Sequence, residues 1–556
     1  MNRSLPLLPL LAVIAAAQPP AAKPPETQAE KVDKIFERFN TTVSPGCALS
    51  VMKGGLMVYE RGYGMADLDH DVPNRPDSVF HVASVSKQFT ATAIILLALD
   101  GKLSLDDRIQ KYIPELPDFG TPITIEHLIH HTSGLRDQWE LLGLAGWRYS
   151  LDLITDNDVL ELMSRQHELN FKPGEKHLYC NTGYTLLAQI VKRVSGKSFR
   201  EFTTQRIFQP LGMKNTHFRD DHAEIIKHQA LGYERAGNTF RLSVTNFDTV
   251  GATSLLTTVE DLALWDENFY EPKVGGRVLL ERQLQRGKLN NGEQLDYASG
   301  LTLGKYRGLP IVDHGGADAG YRADLLRFPE QHFSVACLCN LAEANPGDLT
   351  RKVADVYLAS DLKDPERPAD KPVGKTVALS SEQLSRFVGG YWNQEDERGA
   401  KVTVEDGKLY AWATTNQRIE LTPLAENHFR MVGPPVEVSF EGAKPIRMLV
   451  RPDGAAKPQV FEAAAEFKPT TAQLNEYAGR YRSEEIDPVY RIVVEDNQLV
   501  LKRLKSQPSK LNPGIADYFR GAAGSLHFVR DSNGKVSGFL LNTGRIRNFQ
   551  FTKSAD

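Results

Sequence analysis

A chain of 556 residues is too long for one hydrophobic core, so two to four domains are expected. It is 41% hydrophobic and 24% charged, with a formal net charge of −4, a pI near 6.4 and a mean hydropathy of −0.35. That balance is ordinary for soluble protein and indicates neither nucleic acid nor an anionic membrane as partner.

The first residues read as a cleavable secretory signal. Arg3 gives a positive start, Leu5 to Ala17 a short apolar run, and Ala15-Ala16-Ala17 a small-residue cleavage site. The expectation is a signal peptide over 1–17, cut after Ala17, and a periplasmic or secreted product. No cysteine follows the cut, which argues against a lipid anchor. Residues 18–29, rich in Pro and Ala, read as a disordered leader. The apolar run is too short to cross a bilayer, and no later stretch is longer or more apolar.

Residues 30–360 mix strand and helix, and predict an α+β catalytic-type domain. CALSVMKGGLMVYERGYG alternates around Gly54-Gly55, a hairpin pattern. Helical periodicity runs from Ser84, around Asp158 to Arg165, and from Thr182 to Val194. Strand character returns in GLPIVDHGG and in DLLRFPEQHFSVACLCNL, with a turn at PEQH. An antiparallel sheet drawn from both ends of this region, enclosing a helical middle, fits that order. Four scattered cysteines, Cys47, Cys180, Cys337 and Cys339, do not make a disulfide scaffold. Cys337 and Cys339 read as free thiols in a buried strand, and export permits a bridge without assigning one.

A charged, Pro-rich linker is expected over 361–377. Beyond it, short alternating runs broken by Gly, Asn and Asp predict all-β structure, as two small barrels over 378–466 and 467–556. The second repeats the first. LSRFVGGYW from Leu384 matches LNEYAGRYR from Leu474, while Val404 matches Val494 and Leu409 matches Leu499. The offset is constant at 90 residues, which marks a duplication.

The chemistry concentrates at HVASVSKQFT. Ser84 and Lys87 are one helical turn apart and share a face, whereas the residue three beyond Ser86 is Phe89. Ser-x-x-Lys alone is common, and a helix cap beside a solvated lysine explains it equally well. Other elements tip the balance. In LYCNTG, Tyr179 and Asn181 lie two apart and face one side of an extended segment. DHGGADAGYR puts His314, Gly315 and Gly316 at the end of a strand, where glycines let a substrate backbone approach. HTSGL runs from His131 to Leu135.

Taken in order, SVSK, HTSGL, PGEKHLYCN, PLGM, GATSLLTT and HGG resemble the serine β-lactamases and penicillin-recognising hydrolases. The likeness is to the branch with class C β-lactamases, D-alanyl-D-alanine carboxypeptidases and related esterases. With two β domains behind the catalytic region, the chain looks most similar to the bacterial D-aminopeptidases. The resemblance implies an acyl-enzyme on Ser84, with Lys87 and Tyr179 relaying its proton and Asn181 orienting Lys87 and the substrate amide. It also implies an oxyanion hole from the N–H groups of Ser84 and Ala317, with Gly315 and Gly316 alongside.

A free lysine or tyrosine is almost wholly protonated at neutral pH. The scheme therefore needs one of them lowered by two to three units, about 3–4 kcal/mol. The residues leave open which is the base. His314 stands where many relatives have lysine, and is expected to be a weaker, pH-dependent cation that binds a penicillin carboxylate poorly.

In D-aminopeptidases a loop of the last domain enters the site and offers an acid to the substrate amine. The corresponding segment here, 501–519, has four basic residues and no acid between Lys502 and Pro513, and so disfavours an ammonium group; Asp517 is the one acid nearby. His127, His130 and His131 invite a zinc reading, but without a matching acidic ligand none is expected, nor any other cofactor. The expected partner is a small peptide, amide or ester with D-configured residues, cleaved by a D-aminopeptidase-like activity. Carboxypeptidase, esterase and weak β-lactamase action are the alternatives, and a penicillin-binding or sensor module is the non-enzymatic one. A homodimer is left open.

Overall fold

The computed structural model describes residues 26–363 and 376–554, apart from 396, 415–416, 443–445, 453–456 and 466. The expected signal peptide, most of the leader and most of the linker lie outside the described residues.

The first unit is built on one six-stranded antiparallel sheet. Helix α1 (Gln28–Phe36) precedes strands β1 (Cys47–Lys53) and β2 (Leu56–Tyr63), whose hairpin turns at Gly54 and Gly55, both at positive φ. The chain then leaves the sheet for a helical region containing α2 (Ser86–Leu99) and α3 (Asn181–Ser195). It returns as β3 (Thr302–Tyr306), β4 (Leu309–Asp318), β5 (Tyr321–Phe328) and β6 (Phe333–Cys339), then crosses back as α4 (Pro346–Tyr357). The spatial order β3-β4-β5-β6-β1-β2 joins the two chain ends at β6 and β1, as the strand patterns predict.

Cys47 and Cys339 face each other across that seam and form a disulfide. This corrects the reading of Cys339 as a free thiol; Cys180 and Cys337 are free and buried. The bridge follows from register, because β1 and β6 meet only in the folded sheet. Helices α1 and α4 close one face of the sheet through Val32, Phe36, Leu349 and Val353.

Helix α2 is buried over Ser86–Leu97, so it behaves as a core helix and its polar groups need partners. Thr90 donates to Gly251 O at 2.8 Å, Thr92 to Gln283 Oε1 at 3.1 Å, and Trp265 Nε1 to Gln88 Oε1 at 2.6 Å, while Gln88 Nε2 has no partner among the described residues. The burial of the whole helix is what places a lysine in a dry environment.

The C-terminal third holds two closed eight-stranded barrels, Gly389–Asn393 to Gln459–Ala464 and Gly479–Arg482 to Phe549–Lys553. The repeat read from sequence recurs atom by atom. Val404 pairs with Leu409 in the first barrel, as Val494 pairs with Leu499 in the second. Tyr391 donates to Phe387 O at 2.8 Å, and Tyr481 to Tyr477 O at 2.7 Å. The barrels differ in placement. The apolar core of the second is continuous with that of the catalytic unit, while the first keeps a core of its own. The first barrel touches the second through Trp392 and Tyr518, whose rings lie 5.1 Å apart. Among the described residues no helix is long and apolar enough to cross a membrane.

Candidate active site

A one-turn 3₁₀ helix, Ala83–Val85, delivers Ser84 to the start of α2. Ala83 holds φ +47, an uncommon conformation for a residue with a Cβ. Ser86 is the structural serine of the pair: its hydroxyl donates to Ala83 O at 2.5 Å and accepts from Leu255 N at 3.1 Å.

Lys87 is wholly buried, and its Nζ has three neighbours: Ser84 Oγ at 2.9 Å, Asn181 Oδ1 at 2.9 Å and Ala252 O at 2.7 Å. An ammonium would donate to all three. A neutral amine has two hydrogens and one lone pair, and the two carbonyl oxygens can only accept. The lone pair of neutral Lys87 therefore falls to the Ser84 hydroxyl. Burial is the main force favouring that neutral form and brings the Lys87 pKa down to about 7; Asp137 opposes it and Arg545 assists.

Tyr179 and Asn181 flank an extended Cys180 and both line the same cavity, while the Cys180 thiol points away to Leu135 O at 3.3 Å. The Tyr179 hydroxyl is buried and has no hydrogen-bond partner among the described residues. Burial pushes its pKa far up, an effect that the Ser84 hydroxyl and Arg545 only partly offset. The Asn181 amide is fixed by Asp137, whose Oδ2 accepts from Asn181 N at 2.7 Å and from Nδ2 at 2.9 Å. One of its two amide hydrogens is thereby committed, and its oxygen is turned to Lys87.

His314, Gly315 and Gly316 lie inside β4, not at its end, because the strand pairs with β5 as far as Asp318. The glycines have separate jobs. A Cβ on Gly316 would fall 2.2 Å from Val82 O, so Gly316 lets β4 press against the Ser84 turn; Gly315 is open to the cleft. Ser84 and Ala317 line the cavity together on either side of this contact.

The expected cation at His314 is absent. Burial, reinforced by the Lys87 charge, lowers its pKa to about 4. Its Nδ1 sits 2.7 Å from Gly315 O and its Nε2 3.1 Å from Tyr297 Oη, a pairing that suits a neutral ring donating from Nδ1 and accepting at Nε2. The three histidines of EHLIHH do not converge. His127 caps its own helix, His130 Nε2 faces Gln285 O at 3.3 Å, and His131 Nδ1 accepts from Cys180 N at 3.1 Å beneath the Tyr179 ring.

The main cavity, of about 590 Å³, is lined by Ser84, Tyr179, Asn181, His314 to Asp318, Trp139 and Tyr149 among others. A second lobe of about 490 Å³ opens between Tyr179, His314, His177 and Tyr297.

One lining residue comes from the second barrel: Arg545, whose guanidinium lies 5.1 Å above the Tyr179 ring and 3.5 Å from Asp137 Oδ2. The segment expected to approach the site, 502–513, does not line either lobe. Its nearest reach is on the flank, with Leu504 against Gly146 and Lys505 3.8 Å from Asp152. Asp517 is held by Arg530 and Tyr477, each at 2.9 Å. Sequence reasoning missed Arg545 because TGRIRN reads as an ordinary turn. It also stopped at Leu135, two residues short of Asp137.

These features define a penicillin-recognising serine hydrolase fold, and the chain belongs to the Beta-lactamase family, whose model matches residues 32–360. It is 33% identical over 433 residues to penicillin-binding protein 4* of Bacillus subtilis (strain 168), covering 75% of this chain and 92% of that protein. It is 25% identical over 445 residues to the D-aminopeptidase of Gluconobacter oxydans (strain 621H), covering 80% of each. Among solved structures, the octameric penicillin-binding protein homologue from Pyrococcus abyssi superposes with a TM-score of 0.55 at 25% identity, over 78% of this chain and 99% of that one.

Proposed function

We propose that this protein is an exported serine hydrolase that cleaves amide or ester bonds next to small, D-configured residues through an acyl-enzyme on Ser84. The observation that carries the reading is the 2.9 Å contact between Ser84 Oγ and a buried Lys87 Nζ whose other neighbours can only accept. An unassisted serine hydroxyl is a weak nucleophile, and this contact supplies its base.

In the proposed sequence Lys87 takes the Ser84 proton as Oγ adds to the acyl carbon. The oxyanion sits between the N–H groups of Ser84 and Ala317, beside Gly315 and Gly316. Tyr179, protonated at neutral pH, passes its proton to the leaving group and is replenished from Lys87. Asn181 holds Lys87 in place, and His314 remains a neutral wall. Water then attacks the acyl-enzyme by the same route in reverse. The D-configured substrate is supported by the D-aminopeptidase relative.

A second reading, carboxypeptidase action on a chain end bearing a free carboxylate, is favoured by Arg545 in the cavity wall. Esterase or weak β-lactamase action uses the same steps. A non-catalytic penicillin-binding or sensor role would show covalent labelling without turnover.

The test is a fluorophosphonate label mapped to the Ser84 peptide, together with a panel of D-alanyl amides with free and blocked amines, D-Ala-D-Ala peptides, short esters and nitrocefin. Labelling and turnover should both vanish in Ser84→Ala; turnover retained in that variant overturns the proposal.

A further inference from the structure

The Ser84 cavity receives one side chain from the second barrel, and the fold takes trouble to present it. The backbone of Arg545 is held from both sides by the catalytic unit. Its N–H donates to Glu140 Oε2 at 2.8 Å, and its carbonyl accepts from Asn170 Nδ2 at 3.0 Å. The same Asn170 accepts from Arg547 N at 2.7 Å, so one side chain clamps the loop at two points. The guanidinium is held less tightly by contrast, by the Tyr179 ring and one ionic contact. It makes no hydrogen bond to the described residues, and 39% of the side chain is exposed. Its one ionic neighbour, Asp137 at 3.5 Å, already accepts two shorter bonds from Asn181 on the same oxygen.

The other basic groups at the cavity, among the described residues, are held differently. Lys87 is buried and surrounded by three acceptors. Arg322 gives its Nη1 to the carbonyls of Ala319 and Tyr321, and burial disfavours a charge on His314. The wall's carboxylates are turned to protein donors. Asp318 accepts from the hydroxyls of Tyr149 and Thr253, each at 2.8 Å, and Asp324 accepts from Thr350 at 2.5 Å. Arg545, 3.5 Å from Asp137 and without a hydrogen bond from its guanidinium to the described residues, presents to the cavity a planar, five-donor cation whose geometry fits a carboxylate in bidentate fashion.

We propose that Arg545 is the specificity-determining residue of this site, binding a carboxylate carried by the substrate near the scissile bond and disfavouring a free ammonium there. The proposal rests on the acyl-hydrolase reading above and names its substrate class: N-acylated D-residues with a free carboxylate, in preference to their amides and to free-amine compounds. It makes the second barrel a contributor to substrate choice.

The test uses the full chain. Binding of N-acetyl-D-alanine and of N-acetyl-D-alaninamide is measured by calorimetry on Ser84→Ala, where no turnover intervenes, and again with Arg545→Gln or Arg545→Lys added. The carboxylate should bind at least about tenfold tighter than the amide. Arg545→Gln should remove that ratio and Arg545→Lys should keep part of it, with near-UV circular dichroism confirming that both variants are folded. Equal affinity for the two compounds, or a ratio that survives in a folded Arg545→Gln, overturns the proposal. Absence of Ser84 labelling in the wild type would instead sink the hydrolase reading, while the calorimetric ratio still decides the role of Arg545.

Discussion

Arg136 of the catalytic unit and Glu485 of the second barrel form an ion pair that is buried on both sides. Arg136 immediately precedes Asp137, the residue that orients Asn181, so the barrel docks one residue from the catalytic constellation. Glu485 also accepts from His167 N at 3.2 Å, and Tyr490 donates to Leu144 O at 2.9 Å across the same junction. Removing one partner of such a pair leaves a buried charge without its counterion, which typically costs 3–5 kcal/mol. Glu485→Ala should therefore lower the first urea-unfolding midpoint and reduce the rate of Ser84 labelling as the Asp137 segment loosens. An unchanged midpoint and labelling rate would mean that the barrel is a passive appendage.

Lys87 predicts the pH dependence. Its pKa, brought down to about 7 chiefly by burial, governs the fraction of enzyme holding the neutral base. As pH falls through 7, Lys87 protonates and the Ser84 proton has nowhere to go, so kcat/KM should drop on the acid side and level off above about pH 8. Arg545 lowers this pKa and Asp137 raises it. Arg545→Gln should therefore move the acid limb to higher pH and Asp137→Asn to lower pH. Shifts of the same sign in both variants would refute the electrostatic account. His314 titrates near 4 and should leave no inflection around 6.

Gly316 predicts a steric effect on acylation. An added Cβ would stand 2.2 Å from Val82 O and 3.2 Å from the Ala83 Cβ, which are backbone and turn atoms that cannot swing aside. Gly316→Ala should push β4 off the Ser84 turn and slow labelling by a fluorophosphonate about 100-fold or more, the scale of losing an oxyanion donor. At Gly315 the nearest atoms to a Cβ are 3.7 Å away, so Gly315→Ala should cost less. A larger loss at Gly315 than at Gly316 would show that the strand does not set the hole.

The Cys47–Cys339 bridge ties the first sheet strand to the last across 292 residues of sequence. Cys47→Ala should destabilise the catalytic unit by about 2–4 kcal/mol, read as a lower denaturant midpoint under oxidising conditions. The reductant-induced drop seen in the wild type should be absent from the variant. A wild type indifferent to reductant would count against the bridge.

Local rules made much of this molecule legible from sequence. Period-two alternation around Gly54-Gly55, the apolar run after Ser84 and the 90-residue offset each report structure formed within a short stretch or a repeated one. The contact of Lys87 with Ser84, not Ser86, was legible for the same reason, since one helical turn fixes the distance. What the sequence by itself determined was a serine one helical turn from a lysine, the order of the motifs and a duplicated β tail.

The tertiary structure decided what those residues experience. Lys87 is a candidate base because α2 is buried on all sides, and a charge on His314 is disfavoured by burial and by Lys87 beside it; neither environment is encoded near the residue itself. The cystine depends on β1 meeting β6. Arg545 reaches the cleft from 461 positions beyond Ser84, a distance in sequence that only the docking of the second barrel collapses. Burial and long-range juxtaposition belong to the assembled core, and they moved the charge expected at His314 and in the 502–513 segment onto a turn that local patterning passes over.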